Sequence, residues 1–276
     1  MAVSIRKSFA NIFGDREILP KYTVLVILSF CVGLLTFVFM AKNYMWLPVA
    51  VPLYFIASIL ATGYDIKYVK ELMNNENSKM PHWTKENFVE FFSIGIKYLI
   101  ATIILFLIIF SIIVIPIIII GSLYKMYNLL ISLLIVPLLI ATAIFMYLLI
   151  CFPGIIYTFI NNDYDILTFF NIKKNCSYFS VNYFISLFAI MCLALPISFI
   201  AQCTTVRLRY ALFYIIPLMI APIIRMVFCN LMSQAYRANN NNDDGSIAKM
   251  FGLLALLLFE IIIFTIAYII FLIKFA

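Results

Sequence analysis

The residues best placed to do chemistry are two charged side chains that lie within apolar runs, Arg225 and Glu260. A lone charge at the centre of a bilayer costs roughly 2.5–3.5 kcal/mol on insertion scales, so such residues usually face a partner or water. At 1.5 Å per residue, Arg225 would lie roughly 12 Å and Glu260 about 20 Å from the inner membrane boundary. The arginine side chain is long enough to bridge that difference. The pattern therefore predicts an Arg225–Glu260 interaction, direct or through water.

Three roles for Glu260 remain open at this point. The pair would tie the last helix to its neighbour, or Glu260 would line a polar path and change its protonation state. In the third alternative, a protonated Glu260 simply faces other helices or lipid. A proton-carrying path would indicate a transporter, whereas the other two roles are structural.

A second set of candidates lies at the edges of the apolar runs. His82 and Trp83 are in the longest polar interval, residues 64–90, at a position where aromatic side chains anchor at lipid headgroups. Lys173 and Lys174 are in a second polar interval, residues 161–181, from which they would reach phosphates. These residues predict contacts with lipid headgroups or a partner, or else simple interfacial anchoring.

Motifs for catalysis are missing from the sequence. With His82 as the single histidine, the chain cannot form a His-based metal site or a Ser-His relay by itself. The sequence has no HExxH, GxSxG, GxxxxGK[ST] or GxGxxG motif, and its six cysteines show no CxxC spacing. We expect no enzymatic activity, no cofactor and no metal. The net charge of +7 lies mostly at the ends of apolar runs, which favours a role in membrane orientation and not a nucleic-acid partner.

The apolar runs that carry these residues indicate a membrane protein. The chain is 66% hydrophobic and 11% charged, with a mean hydropathy of +1.11, more than a water-soluble domain of 276 residues could bury. The runs are continuous and lack the alternation of barrel strands, so the predicted fold is an all-α polytopic bundle of about seven spans. The predicted spans are approximately 22–41, 46–63, 91–121, 127–160, 182–203, 210–233 and 247–273.

Prolines and amphipathic stretches refine this outline. Pro116 is predicted to kink or end the third span, and Pro153-Gly154 to break the fourth. Residues 3–13 predict a short helix, either in the membrane interface or packed against the bundle. The second span is expected to continue beyond the membrane as an amphipathic helix, and residues 166–173 to form a helix lying flat on the surface. Thr84 is predicted to cap the third span.

The distribution of basic residues predicts the orientation. With the N-terminus inside, the inner segments 1–21, 64–90, 161–181 and 234–249 hold twelve Lys and Arg residues, against five in the outer segments. This excess follows the positive-inside rule. We therefore expect a cytoplasmic N-terminus and an external C-terminus.

The order of several short motifs resembles one known family. FANIFGDREILPKY precedes the first span, Gly63-Tyr64 follows the second, MPHW at 80–83 precedes the third, and NLMSQAYR at 230–237 closes the sixth. This order resembles the uncharacterised prokaryotic membrane-protein family called domain of unknown function 4013. The resemblance implies a core of six spans over residues 1–238, followed by a linker at 239–246 and an appended helix at 247–276.

The resemblance brings no activity with it. From the residues we expect a non-enzymatic integral protein of a prokaryotic plasma membrane that organises lipid or scaffolds other membrane proteins. Lipid and such membrane proteins are its expected partners. The alternative is a small transporter or permease component with a polar path at Glu260.

Overall fold

The computed structural model describes residues 3–122, 150–205 and 214–239. These residues form helices joined by short turns, and the described part of the chain contains no strand. The helices are α1 (Ile5–Phe13), α2 (Ile18–Met40), α3 (Leu47–Asn74), α4 (Lys85–Ser122), α5 (Ile150–Asn161), α6 (Ile172–Cys176), α7 (Val181–Thr205) and α8 (Ile215–Asn239).

Four of these helices are long and apolar enough to cross a membrane. The candidate spans are Ile18–Phe39, Tyr44–Asn74, Lys85–Ile108 and Ile215–Asn239. This confirms the all-helical, membrane-type fold, whereas the count of seven spans stays a prediction. The predicted linker at 239–246 and the last span, with Glu260, lie outside the described residues except for residue 239.

The central element is α3, which packs against α2, α4 and α8. It continues for eleven residues past the predicted end of its span at residue 63, so the predicted extension is confirmed. The stripe of apolar residues on that extension faces protein: Tyr64, Tyr68 and Leu72 are completely buried. The extension is therefore part of the core of the bundle.

Two glycines allow α3 and α4 to cross closely. A Cβ atom on Gly63 would lie 1.8 Å from the carbonyl oxygen of Phe91, and one on Gly95 would lie 2.0 Å from that of Ile59. Both obstacles are backbone atoms, which cannot move aside as a side-chain end can. A larger residue at either position would have to push the two helices apart.

The predicted break at Pro153-Gly154 is wrong, because α5 continues through both residues to Asn161. The hydroxyl of Tyr183 in α7 explains how. It donates to the carbonyl oxygen of Ile150 (2.5 Å) and accepts from the N–H of Gly154 (3.3 Å), two groups that a regular helix pairs directly. Neighbouring groups of this kind let membrane helices tolerate proline. Similarly, α4 continues past residue 116 to Ser122, so it does not end there.

The N-terminal helix packs against the bundle. Ser8 and Ile12 of α1 are fully buried, and the helix contacts α8. Ser4 caps it, its hydroxyl accepting from the N–H of Lys7. Of the two alternatives for residues 3–13, the structure therefore favours packing against other helices.

The second polar interval differs from its prediction. One flat helix was expected over 166–173, but the chain forms a 3₁₀ turn (Ile166–Phe170) and then α6. Asn171 separates them because its side chain caps α6 by accepting from the N–H of Lys174. Phe169 is buried against the rings of Tyr98 and Phe159, so it packs in the core.

Candidate functional site

One end of the bundle gathers the polar segments that the sequence assigns to the inner side. The backbone N–H of Ser4 donates to Gln234 (2.8 Å), and the amide of Asn11 donates to Asn230 (3.3 Å). The amide of Asn161 donates to the hydroxyl of Tyr236 (3.1 Å). Residues from the N-terminal segment, the second polar interval and the end of α8 thus lie on the same side of the bundle, which we call the polar end.

A buried ion pair stabilises this end. The Nζ of Lys21 lies 2.8 Å from Oδ2 of Asp15, and the two side chains are 3% and 1% exposed. Burial alone would raise the pKa of Asp15, but hydrogen bonds from Lys21 and from the backbone N–H of Glu17, together with the charges of Lys21 and Lys79, bring that pKa below its usual value. The charged form of Asp15 is therefore favoured in the folded protein.

Trp83 packs against aromatic side chains of α3 and α4, and its contact with headgroups or a partner stays a prediction. Its ring stacks on Tyr64 at 4.8 Å between centroids and meets the edge of Phe91 at 5.1 Å. It thus packs α3 against the start of α4 and is only partly exposed. The predicted cap at Thr84 is confirmed, because its hydroxyl accepts from the N–H of Asn87 (3.3 Å).

The remaining boundary residues lie at the surface of the polar end. His82 is exposed, with its Nδ1 3.2 Å from a carboxylate oxygen of Glu17. Lys173 and Lys174 are both exposed, and the Nζ of Lys174 donates to the side chain of Asn162 (2.7 Å). Their contact with headgroups or a partner stays a prediction.

Arg225 has a carboxylate partner that the sequence did not predict. Its Nε lies 2.7 Å and its Nη2 2.5 Å from the same oxygen, Oδ2 of Asp65. The pair joins α3 to α8 across 160 residues of sequence. The predicted partner Glu260 lies outside the described residues, so that interaction stays a prediction. Asp65 was missed because the span was expected to end at Gly63, which placed Asp65 in solvent.

The Asp65–Arg225 pair lines a cavity of about 400 Å³ between α3, α4, α5, α7 and α8, with Tyr98 as the contribution of α4. The other walls are predominantly apolar, and the cavity is partly open. Its larger apolar lining residues are Ile66, Val69, Phe152, Ile156, Ile190, Ile224 and Phe228. An ion pair is thus presented to a space in which nearly every other surface is hydrocarbon.

The family model for the proteins of unknown function called DUF4013 matches residues 46–206, more than half of the chain. The chain belongs to the DUF4013 family. The predicted resemblance is confirmed, although the match is shorter than the expected 1–238. No curated protein and no solved structure matches the chain.

The DUF4013 match contains Asp65 but ends before Arg225. It also contains the cavity residues of α3, α5 and α7, and α8 completes the walls from outside it. The described residues contain no group of three or more side chains suited to a metal ion. The candidate site of this DUF4013 protein is therefore the apolar cavity with its charged pair.

Proposed function

We propose that this DUF4013 protein is a non-enzymatic integral membrane protein that holds a lipid chain within its helix bundle. The observation that carries the proposal is the cavity of about 400 Å³ with apolar walls and one charged pair. Binding cavities for small molecules usually have volumes of about 300–1,000 Å³, apolar walls and a few fixed polar groups. The cavity fits that description.

The surroundings of the cavity favour lipid as its occupant. Apolar cavities stay dry because a buried water needs two to four polar partners. The helices that form these walls include two of the candidate membrane spans, α3 and α8. Lipid is the solvent along such spans, so hydrocarbon chains are the most concentrated apolar molecules at the opening.

The polar end supplies the cytoplasmic surface in this proposal. The excess of Lys and Arg in the predicted inner segments supports this orientation in a prokaryotic plasma membrane. Exposed Lys173 and His82 would face lipid headgroups or a membrane-protein partner there. Liposome binding that is unchanged by Lys173→Ala/Lys174→Ala, and equal for anionic and zwitterionic vesicles, would argue against headgroup contact.

The lipid-binding proposal is tested by photo-crosslinking. Purified protein is irradiated with a monoacylglycerol that carries a diazirine in its chain, and labelled peptides are identified by mass spectrometry. We expect labels on α3, α5 and α8 residues that line the cavity. Ile190→Trp should remove these labels because the larger side chain fills the cavity, which Ile190 lines.

Ile185→Trp is the matched control, since Ile185 lies on the same helix and is 48% exposed. It should leave labelling of the cavity unchanged. Equal labelling of the cavity in the two variants would contradict the proposal.

A second candidate function is a small transporter or permease component. A charged pair in a partly open cavity is the observation that favours it, with Glu260 as the predicted continuation of a polar path. Ile190→Cys places a half-buried thiol at the cavity, and its reaction is followed by mass spectrometry of the peptide that contains it. Rapid reaction of this thiol with a water-soluble maleimide, abolished by Glu260→Gln, would favour transport, whereas slow reaction favours lipid binding.

A further inference from the structure

The Asp65–Arg225 pair leaves polar atoms that its own contacts do not use. The hydrogen bond from Nε of Arg225 and the ion-pair contact of its Nη2 both end on Oδ2 of Asp65. Within the described part of the chain, Oδ1 of Asp65 and Nη1 of Arg225 have no hydrogen-bond partner. The side chains are 20% and 37% exposed, and both line the cavity. The two residues thus carry an unused acceptor and unused donors at the wall of an otherwise apolar cavity.

The net charge of the pair is zero, and this restricts the head group that it accepts. An anionic head group would bind Arg225 only in competition with Asp65, and a cationic head group would bind Asp65 only in competition with Arg225. Either would leave an uncompensated charge in an apolar site, which is costly. A hydroxyl group donates to Oδ1 and accepts from Nη1 while the pair stays intact.

The volume restricts the rest of the ligand. A cavity of about 400 Å³ is near the lower end of the range for bound small molecules, about 300–1,000 Å³. That volume suits one hydrocarbon chain better than the two chains of a phospholipid. Together with the zero net charge of the pair, this volume favours a single-chain amphiphile whose neutral head group carries a hydroxyl.

We infer that the cavity selects a neutral single-chain lipid with a hydroxyl head group, such as a monoacylglycerol or a long-chain alcohol, through the Asp65–Arg225 pair. This inference rests on the proposed lipid-binding function and adds the class of lipid. Asp65 sets the selectivity, because its negative charge cancels that of Arg225. Removing the charge of Asp65 leaves a cation in the cavity, and the preference then passes to an anionic lipid.

The experiment compares two photoreactive probes with the same chain, a monoacylglycerol and a fatty acid. Both are applied to the full-length purified protein at about pH 9, where a carboxylic acid is ionised. Wild-type protein should label at cavity residues about tenfold more with the monoacylglycerol, the difference expected for one hydrogen bond to a charged group. Asp65→Asn should reverse this preference in favour of the fatty acid.

Asp163→Asn is the matched control, since Asp163 is another aspartate of the same chain, outside the cavity. Its backbone has φ of 50°, which asparagine tolerates. This variant, like the charge-preserving Asp65→Glu, should keep the wild-type preference. The wild-type comparison tests the inference even if Asp65→Asn does not fold.

The outcomes separate the two proposals. If the fatty acid labels the wild-type cavity as well as or better than the monoacylglycerol, the cavity binds lipid but the inferred selectivity is wrong. If Asp65→Asn folds and keeps the wild-type preference, Asp65 does not set the selectivity. If neither probe labels the cavity, the lipid-binding function itself is wrong.

Discussion

In the described part of the bundle, two pairs of an aspartate and a basic residue lie in contrasting surroundings. At the polar end, Asp15 and Lys21 are six residues apart and almost fully buried, and Asp15 also accepts from the backbone N–H of Glu17. At the cavity, Asp65 and Arg225 come from distant helices, and both remain partly exposed. The first pair is enclosed by protein, whereas the second faces open space.

This difference separates a structural role from the proposed binding role. A buried ion pair is strongly destabilising to break, because the remaining charge has neither water nor a partner. An enclosed pair such as Asp15–Lys21 is therefore suited to fixing the N-terminal segment against the bundle. A pair that faces a cavity keeps atoms available for a second molecule, at some expense in stability. Each pair joins an aspartate to a basic residue, and their surroundings suit them to different roles.

The largest expected effect separates the two pairs directly. Asp15→Ala should reduce the free energy of unfolding by about 3–5 kcal/mol, because Lys21 would stay buried with only the more distant and exposed carboxylate of Glu17 beside it. Asp65→Ala should reduce it by only about 1–3 kcal/mol, because Arg225 is partly exposed at the cavity. Chemical unfolding in mixed micelles measures both changes. Glu17→Ala is the control and should cost less than about 1 kcal/mol, since Glu17 is 58% exposed. Equal losses of stability in Asp15→Ala and Asp65→Ala would contradict the difference between the two pairs.

A smaller effect tests how closely α3 packs against α4 at Gly63. Gly63→Ala should destabilise the protein by about 3 kcal/mol, since the added methyl group meets the backbone of Phe91. Gly33→Ala is the matched control. Its methyl group would meet only the side chain of Leu218, which can rotate, so a loss of less than about 1 kcal/mol is expected. Thermal unfolding in detergent compares the two variants. Similar losses at both positions would contradict the close crossing of α3 and α4.

The smallest effect is a pH dependence of stability that arises from the Asp15–Lys21 pair. The pKa of Asp15 is lower in the folded protein than the value of about 3.9 expected when the chain is unfolded. The stabilisation from its charge is therefore complete above about pH 4 and is lost as the pH falls further towards the folded-state pKa. The difference in stability between wild-type protein and Asp15→Asn should shrink as the pH is lowered below about 4. A difference that stays constant over this range, followed by unfolding at each pH, would contradict the role of the Asp15 charge.

The sequence was sufficient for features that depend on local pattern. Continuous apolar runs predicted the helical membrane fold, and the apolar stripe from Tyr64 to Met73 predicted the extension of α3. Thr84 could be recognised as a cap because capping depends on residues within one turn. The order of short motifs was sufficient to predict the DUF4013 family.

Features that depend on distant parts of the chain could not be predicted in this way. Asp65 lies beyond the apolar run, and nothing local indicates that α8 brings Arg225 to it. The continuation of α5 through Pro153 depends on Tyr183 from another helix. The stacking of Trp83 on Tyr64 of α3 was likewise not predicted. In each case the deciding partner is remote in sequence.

The hydroxyl of Tyr183 also limits how the cavity can change its width. Through its bonds to Ile150 and Gly154, it fastens α7 to the backbone of α5, and both helices contribute walls to the cavity. Pulling the two helices apart would expose a carbonyl and an N–H to hydrocarbon, which satisfies neither. We therefore expect α5 and α7 to move together as one wall, so that the width of the cavity changes at its boundary with α3.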